Sequence, residues 1–322
     1  MKNNKALNFL KEHNAVVIMI LVFVAAVIIA SPKFTKLTNL FNLAMSIGTY
    51  GILAIGLTFV FIVGGIDLSI GYQVAFCGTM LVILTNAIGL APALIIVLSI
   101  GLSIGYLNGT IVTRLKIPPL IGTLAVMTAL NGLVLLLNNN SGNLSIKDTI
   151  FGMSLPEFYR LHIFGFLSPS IVIALVLFVG FALFLKYTRP GADMYVTGGN
   201  REAGAFSGIN NGRLTRIAYS ICGLCSAVCS FLLVSSLGAS TYNMGDGLDI
   251  TAICAVVIGG VKMQGGKGNM AMCFMGVVTI QVINNAMIKI GLHSSMQSLI
   301  TGIVVILVLV LDKLTSKKAV NA

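Results

Sequence analysis

AVVIMILVFVAAVIIA, residues 15–30, decides the class of this fold. The run contains no charge and no polar side chain, and a similar run, Ile303–Leu311, lies near the other end. Backbone groups in lipid find no hydrogen-bond partners outside the chain, so only helices and closed barrels can cross a bilayer. Barrel strands are short and alternate in polarity. Continuous apolar runs therefore point to helices.

The rest of the chain repeats the signal. Hydrophobic residues make up 57% of the 322 residues and charged ones 9%. A helix needs about 20 mostly apolar residues to cross the hydrocarbon layer. Ten candidate spans follow: Ala15–Ala30, Leu40–Val63, Ile70–Ile88, Ala91–Thr113, Leu120–Leu137, Pro169–Tyr187, Ile217–Ser236, Ile250–Gly260, Met270–Ile290 and Ser295–Leu311. The eighth is short and ends in Gly259-Gly260, which suggests a half-helix or a span continued by irregular backbone. The expected fold class is an all-α polytopic membrane protein of about ten transmembrane helices, forming a single domain over residues 1–322.

The formal charge of +11 resembles a nucleic-acid signal, but no basic stripe on a soluble domain accompanies it, and no nucleic-acid partner is expected. Positive-inside sorting explains it. With the N-terminus in the cytoplasm, inner segments hold Lys2, Lys5, Lys11, Arg114, Lys116, Lys186, Arg189, Arg201, Arg213, Arg216, Lys262, Lys267, Lys313, Lys317 and Lys318. Both termini are then cytoplasmic, as an even number of spans requires. Lys2, Lys5 and Lys11 ahead of an apolar run loosely fit a signal peptide. The length of that run, with further spans behind it, favours an uncleaved first helix.

Two connections are long. Asn138–Ser168 is polar and external on this topology. Lys186–Arg216 is internal and carries five basic residues, and a loop of that length in so compact a protein usually has a task. Within it, Glu202 through Phe206 can form a short helix, with Asn200 as N-cap and Gly208 as its end.

Several chemistries are unsupported. Val257 through Gly268 is glycine-rich but makes no working phosphate loop, because Lys267 is followed by Gly268 and Val261 occupies the first glycine position. No hydrolytic or metal signature is present. Cys222, Cys225 and Cys229 lie in an apolar span beside Gly, Ser and Ala, where they read as small packing residues. His13, His162 and His293 are scattered among ends and loops.

Asp67 is the unusual charge. A carboxylate deep in a membrane costs roughly 2.5–3.5 kcal/mol on insertion scales. Asp67 or Ser69 could cap the following helix; alternatively Asp67 could contact a solute or relay a proton. Gly65-Ile66-Asp67-Leu68-Ser69 is echoed by Gly247-Leu248-Asp249-Ile250-Thr251. On the topology above the two segments face opposite sides, as an inverted repeat would place them.

Three motifs together resemble a known family. They are Gly65-Ile66-Asp67-Leu68-Ser69-Ile70-Gly71; Gly198-Gly199-Asn200 through Ser207-Gly208-Ile209; and Gly247-Leu248-Asp249-Ile250-Thr251 through Gly259-Gly260, followed by Gly265-Gly266-Lys267-Gly268. Asn108-Gly109 and Ile117-Pro118-Pro119 add to them. On these residues the chain resembles the membrane permeases of bacterial ATP-binding cassette importers of the ribose/galactose, or monosaccharide, type. The resemblance spans nearly the whole chain. Gly204 departs from it, since family members often carry a second Ala there.

The resemblance implies a type II importer-like, inverted-repeat architecture in the bacterial cytoplasmic (inner) membrane. It implies a second permease copy or paralogue, two cytoplasmic ATPase subunits that carry ATP and Mg2+, and a periplasmic or lipid-anchored binding protein delivering sugar. This chain itself would bind no cofactor and would not be an enzyme. Gly199, Asn200, Glu202, Ala203, Ser207, Gly208 and Ile209 would form the ATPase-coupling segment. Asp67, Ser69, Asp249 and Thr251 would be structural or translocation positions. Thr58, Thr123, Asn131, Asn284 and Asn285 are hydrogen-bonding groups available to an alternating-access path. Nucleosides or a furanose-like signal molecule are alternative cargoes, and an ion-coupled secondary transporter is a rival class, with Asp67 as its only candidate ion site.

Overall fold

A computed structural model describes residues 14–138, 143–150, 152–163, 167–293, 295–304, 306 and 310. In chain order the helices are α1 Asn14–Ala30, α2 Leu37–Ile62, α3 Ile70–Ile88, α4 Leu90–Thr113, α5 Pro119–Leu137, α6 Leu155–Tyr159 and α7 Pro169–Tyr187. They continue with α8 Arg189–Gly199, α9 Arg201–Phe206, α10 Asn211–Leu237, α11 Leu248–Ile258, α12 Met270–Lys289 and α13 Ser295–Val304. Four two-residue strands, β1 Leu144–Ser145, β2 Thr149–Ile150, β3 Met153–Ser154 and β4 Ala239–Ser240, are the strands among the described residues.

Seven helices (α2, α3, α4, α5, α7, α10 and α12) are long and apolar enough to cross a membrane. The protein is a multi-pass helical membrane protein. Each of the ten spans expected from sequence contains a helix. Three of them, Ala15–Ala30, Leu248–Ile258 and Ser295–Val304, are shorter apolar helices. The far end of the expected tenth span, toward Leu311, runs into residues outside those described.

Burial separates two layers. α2 and α10 are mostly enclosed, while α4, α5 and α7 turn most of their apolar surface outward. Ile95, Leu136 and Val176 are among the exposed side chains. Such a surface suits hydrocarbon and not water. α10 is the hub, packing on α2, α3 and α4, while α12 packs on α1, α2 and α11.

Glycine permits the tightest of these contacts, because backbones can touch where no Cβ intervenes. Along α4, Gly101, Gly105 and Gly109 recur every four residues and so share one face. A Cβ on Gly101 would lie 2.5 Å from the Gly223 carbonyl oxygen, and one on Gly109 would lie 2.7 Å from Arg216 Cα. A Cβ on Gly105 would collide with the Tyr219 carbonyl. The cysteines of α10 work similarly on α2: a Cβ on Gly56 would meet Cys222 Cα at 2.8 Å and Cys225 Cβ at 2.9 Å.

The segment after α10 crosses the bundle in two different conformations. Gly238 ends α10 in the left-handed region, φ 68°. β4 then pairs antiparallel with β1, Leu144 opposite Ser240, and Ser240 hydrogen-bonds Thr79 at 3.1 Å. Continuing down α3, Gly245 packs against Gly71, whose Cβ would stand 2.5 Å from the Gly245 carbonyl oxygen. Only there does α11 begin, and it runs 11 residues to Gly259, which packs on the start of α12. The half-helix expected from Gly259-Gly260 is present, and its irregular partner lies mainly before it.

The two long connections are more ordered than a loop reading suggests. Within Asn138–Ser168, α6 opens with a reciprocal capping box in which the Ser154 backbone N–H donates to Glu157 Oε2 at 2.8 Å. Accepting those bonds holds the Glu157 carboxyl below its ordinary range. Within Lys186–Arg216, α8 precedes the expected short helix. Pro190 and Gly191 read as loop residues, yet Pro is tolerated in the first helical turn, and Thr188 caps it by accepting from the Gly191 N–H at 3.2 Å.

Gly105→Val should cost about 1–3 kcal/mol of overpacking and lower the thermal midpoint in detergent. Gly132→Val, at a site with nothing within 4 Å, should leave the midpoint nearly unchanged. Equal midpoints for the two variants would remove the α4–α10 backbone contact from the account of stability.

Candidate functional site

Two places in the bundle gather many of the residues singled out by sequence: the basic end and the region between α2, α11, α12 and α13.

At the basic end, glycines bring three distant segments together. The Gly266 N–H donates to the Ile62 carbonyl at 2.9 Å. A Cβ on Gly198 would collide with that same Ile62 carbonyl, and one on Gly265 would lie 2.7 Å from the Gly198 carbonyl oxygen. Gly64, Gly265 and Gly266 have φ of 72°, 94° and 72°, which side-chain-bearing residues rarely adopt. Tyr195 donates to the Gly268 carbonyl at 2.8 Å, and burial pushes its phenol pKa up, keeping it a neutral donor. Arg201 donates to the Val63 carbonyl at 3.4 Å. The segments after α2 and α11 thus close on α8.

α9 stands on this seam. Asn200 ends α8 and starts α9, its Oδ1 accepting from the Ala203 N–H at 3.0 Å. Gly208, at φ 76°, stops the helix, and the Ile209 N–H donates to the Gly204 carbonyl at 2.9 Å. Asn211 fastens α9 to α10: its Nδ2 donates to the Arg201 carbonyl at 2.7 Å, and its Oδ1 accepts from Thr197 at 3.0 Å. Gly204 faces inward, where an added Cβ would press on Asn211 Oδ1 at 2.9 Å. Gly199, Asn200, Glu202, Ala203, Ser207 and Gly208 are exposed, and Ile209 is partly covered. Phe206, which is not among the residues expected to couple, is 93% exposed. Its isolation as an aromatic among Gly, Ala and Ser is the clue that the sequence offers.

Asp67 sits apart, fully buried between α3 and α4. Its Oδ1 accepts from the Ser69 N–H at 2.9 Å and from Ser69 Oγ at 2.6 Å. Its Oδ2 accepts from Gln73 at 3.2 Å and Asn108 at 3.3 Å. Thr123 accepts from the Leu68 N–H at 3.2 Å, and Tyr219 donates to the Ile66 carbonyl at 2.9 Å. The carboxyl group gathers donors just before α3, but neither Asp67 nor Ser69 takes a backbone N–H of that helix through its side chain, so the expected cap is not formed. Asp249 is half-buried in the first turn of α11.

Between these helices lies a half-open cavity of about 550 Å³. Its walls include Ser46 and Tyr50 of α2, Asp246 and Gly247 before α11, Thr251 within it, Gln281, Asn284 and Asn285 of α12, and Gln297 and Thr301 of α13. Asn285 pairs with Asn39 at 2.8 Å, and Thr251 donates to the Gly247 carbonyl at 2.8 Å. The polar ends of Tyr50, Gln281 and Asn284 have no hydrogen-bond partner among the described residues, and Gln281 is only 5% exposed. Among the hydrogen-bonding groups expected on a path, Asn284 and Asn285 line this cavity. Thr58, bonded to the Ala54 carbonyl at 2.8 Å, Thr123 and Asn131 do not. Gln281, Asn284, Asn285 and Ile288 follow i, i+3, i+4, i+7 spacing, one helix face, so the stripe is readable in the sequence.

A family model described as the permease component of the branched-chain amino acid transport system matches residues 39–309. The ribose import permease protein RbsC of Bacillus subtilis is 33% identical over 91% of this chain and 90% of its own length. The galactose/methyl galactoside import permease protein MglC of Escherichia coli is 31% identical over 96% of both. The autoinducer 2 import system permease protein LsrC of Photorhabdus luminescens is 29% identical over 81% of this chain and 77% of that one. No solved structure matches.

Asp67→Asn would turn an amide N–H toward donors already supplied by Ser69, Gln73 and Asn108, at a cost of about 1–3 kcal/mol for the unmet groups. The expected result is a lower thermal midpoint in detergent. An unchanged midpoint would show that the node does not hold α3 to α4.

Proposed function

The chain belongs to this family of transport permeases, and from that footing we propose that it is the membrane-spanning subunit of an ATP-driven importer for a neutral monosaccharide of the ribose or galactose kind. The observation carrying this reading is the cavity. Its unpaired groups, a phenol and two carboxamides, are uncharged and both donate and accept. A sugar with many hydroxyls and no charge is their natural complement. Asp246 stands at the wall but is engaged by Tyr72, which donates to its Oδ1 at 2.8 Å.

The position of the cavity supports a translocation role. α11 begins beside it, so a discontinuous helix contributes its first turn to the wall, as transporters commonly arrange their midplane sites. The whole chain, residues 1–322, then acts as one permease domain of about ten spans with both termini cytoplasmic and the basic end inside. The echo between Gly65–Ser69 and Gly247–Thr251 is taken as the trace of an inverted repeat in a type II importer-like architecture. A second copy or a paralogue completes the pore.

Work comes from outside the chain. ATP and Mg2+ reside on cytoplasmic ATPase subunits, and a periplasmic or lipid-anchored binding protein delivers the sugar. α9, with Glu202, Ala203, Ser207, Gly208 and the protruding Phe206, seats in the ATPase. Movement there reaches α2 and α11 through the glycine seam, and the halves rock about the cavity in alternating access. Asp67, the acidic candidate for ion coupling, is turned into the α3–α4 network and away from the cavity. A second cargo, a furanose-like signal molecule, is favoured by the likeness to the autoinducer 2 permease and would use the same neutral groups.

Reconstituted with its ATPase and binding protein, the protein should take up labelled ribose or galactose only with ATP inside, and an ion gradient should not substitute. Uphill uptake by this chain alone would refute the reading. Ala203→Glu should abolish uptake while membrane insertion persists, and normal uptake would remove α9 from the coupling role. Gln281→Leu should lower uptake about ten-fold, the scale of one lost hydrogen bond, and leave stimulation of the ATPase by binding protein in place. Full uptake by Gln281→Leu would move the path elsewhere.

A further inference from the structure

Away from both regions, the flank where α4 crosses α10 carries a groove of about 500 Å³. Leu102 and Tyr106 of α4 and Ile221 and Leu224 of α10 line it, and Arg213 and Arg216 stand at one end. Leu102 and Tyr106 are 45% and 46% exposed, so the groove opens sideways, on the surface α4 turns toward hydrocarbon.

The two arginines differ in how they are held. Arg216 lies with its stem against Gly109, and its Nη1 donates to Thr113 Oγ1 at 3.2 Å. That fixes the guanidinium and occupies one of its five N–H donors. Arg213 is exposed at the start of α10. Among the described residues neither forms an ion pair, and no acidic side chain lines the groove. Two cations without an ion pair thus cap a channel whose remaining wall is mostly apolar, Ser220 being its small polar residue.

We propose that this groove holds one anionic phospholipid from the leaflet at the basic end. The phosphate sits on Arg213 and Arg216, since guanidinium matches phosphate geometry and pairs with it strongly. Tyr106 lies below, with its ring on the acyl region and its hydroxyl toward the polar boundary, as interfacial tyrosines do. One acyl chain follows Leu102, Ile221 and Leu224. Basic pockets between transmembrane helices are established sites for acidic headgroups. A soluble anion would use the arginines and leave the apolar channel empty, so the lipid is the occupant that answers both halves.

The test is native mass spectrometry of the full-length chain, delipidated in detergent and titrated with phosphatidylglycerol and phosphatidylcholine. The wild type should retain one phosphatidylglycerol with a preference of about thirty-fold, the product of two surface arginines. Arg213→Gln with Arg216→Gln should bring the preference close to one. Arg213→Lys with Arg216→Lys, which keeps both charges, should preserve most of it and so separate loss of the site from loss of fold. Equal retention of the two lipids by the wild type, or an undiminished preference in the double glutamine variant, would overturn the proposal. Displacement of the lipid by glycerol 3-phosphate at matched concentration would also overturn it, because the site would then select a free anion.

Discussion

Direct backbone contact at glycine is the constraint on which this protein rests. Hydrophobicity cannot drive one apolar helix onto another inside lipid, because the lipid is equally apolar. Close approach and dispersion have to do it. α10 is the centre of the bundle, and it is drawn onto α4 at Gly101, Gly105 and Gly223. Remove that approach and the elements gathered around α10 lose their common axis. The basic end uses the same device for a different purpose: Gly198, Gly265 and Gly266 let three chain segments meet with no side chain between them. A seam of that kind has little slack, and on the proposed reading it is what would carry a push on α9 to α2 and to the segment after α11.

Polarity in the interior is divided in the same economical way. The buried acid, Asp67, is surrounded by Ser69, Gln73 and Asn108 and serves to fix α3 beside α4. The cavity, by contrast, keeps neutral groups without partners. The acid on its wall, Asp246, is held by Tyr72, and on the proposed reading the open amides and hydroxyl meet a hydroxylated neutral molecule. The two arrangements lie in one membrane protein and do opposite things because one has been satisfied internally and the other has not.

The fold class is plain in the sequence, and physical reasons explain where that legibility stops. Long apolar runs such as that of α1 can hardly be anything but helix, and Asn200 with Gly208 announces α9 by capping chemistry alone. α8 is hidden because Pro190 and Gly191 resemble turn residues until Thr188 is seen to cap them. The lining of the cavity is half legible. Asn284 stands out as a polar residue in a span, but Thr58 and Thr123 look the same, and only the fold distinguishes a hydroxyl satisfied by its own helix from an amide facing empty space. Gln281 and Phe206 escape notice when each residue is weighed singly; the helical spacing of the first and the isolation of the second carry the signal.

The crossing made by residues 238–258 has a consequence for how the protein is built. A mostly apolar helix of eleven residues, preceded by a glycine-rich polar turn, does not satisfy the length that lipid demands of an independently inserted segment. Released alone into hydrocarbon, the turn from Thr241 to Gly247 would expose unmet peptide groups. Within it Gly245 packs on α3 at Gly71, and α11 behind it packs on α12; the first of those helices emerges from the ribosome well before the segment and the second after. Biogenesis therefore has a fixed order at this point: the segment must be held in a protein or aqueous environment until α12 arrives, and membrane integration of this chain is completed by folding.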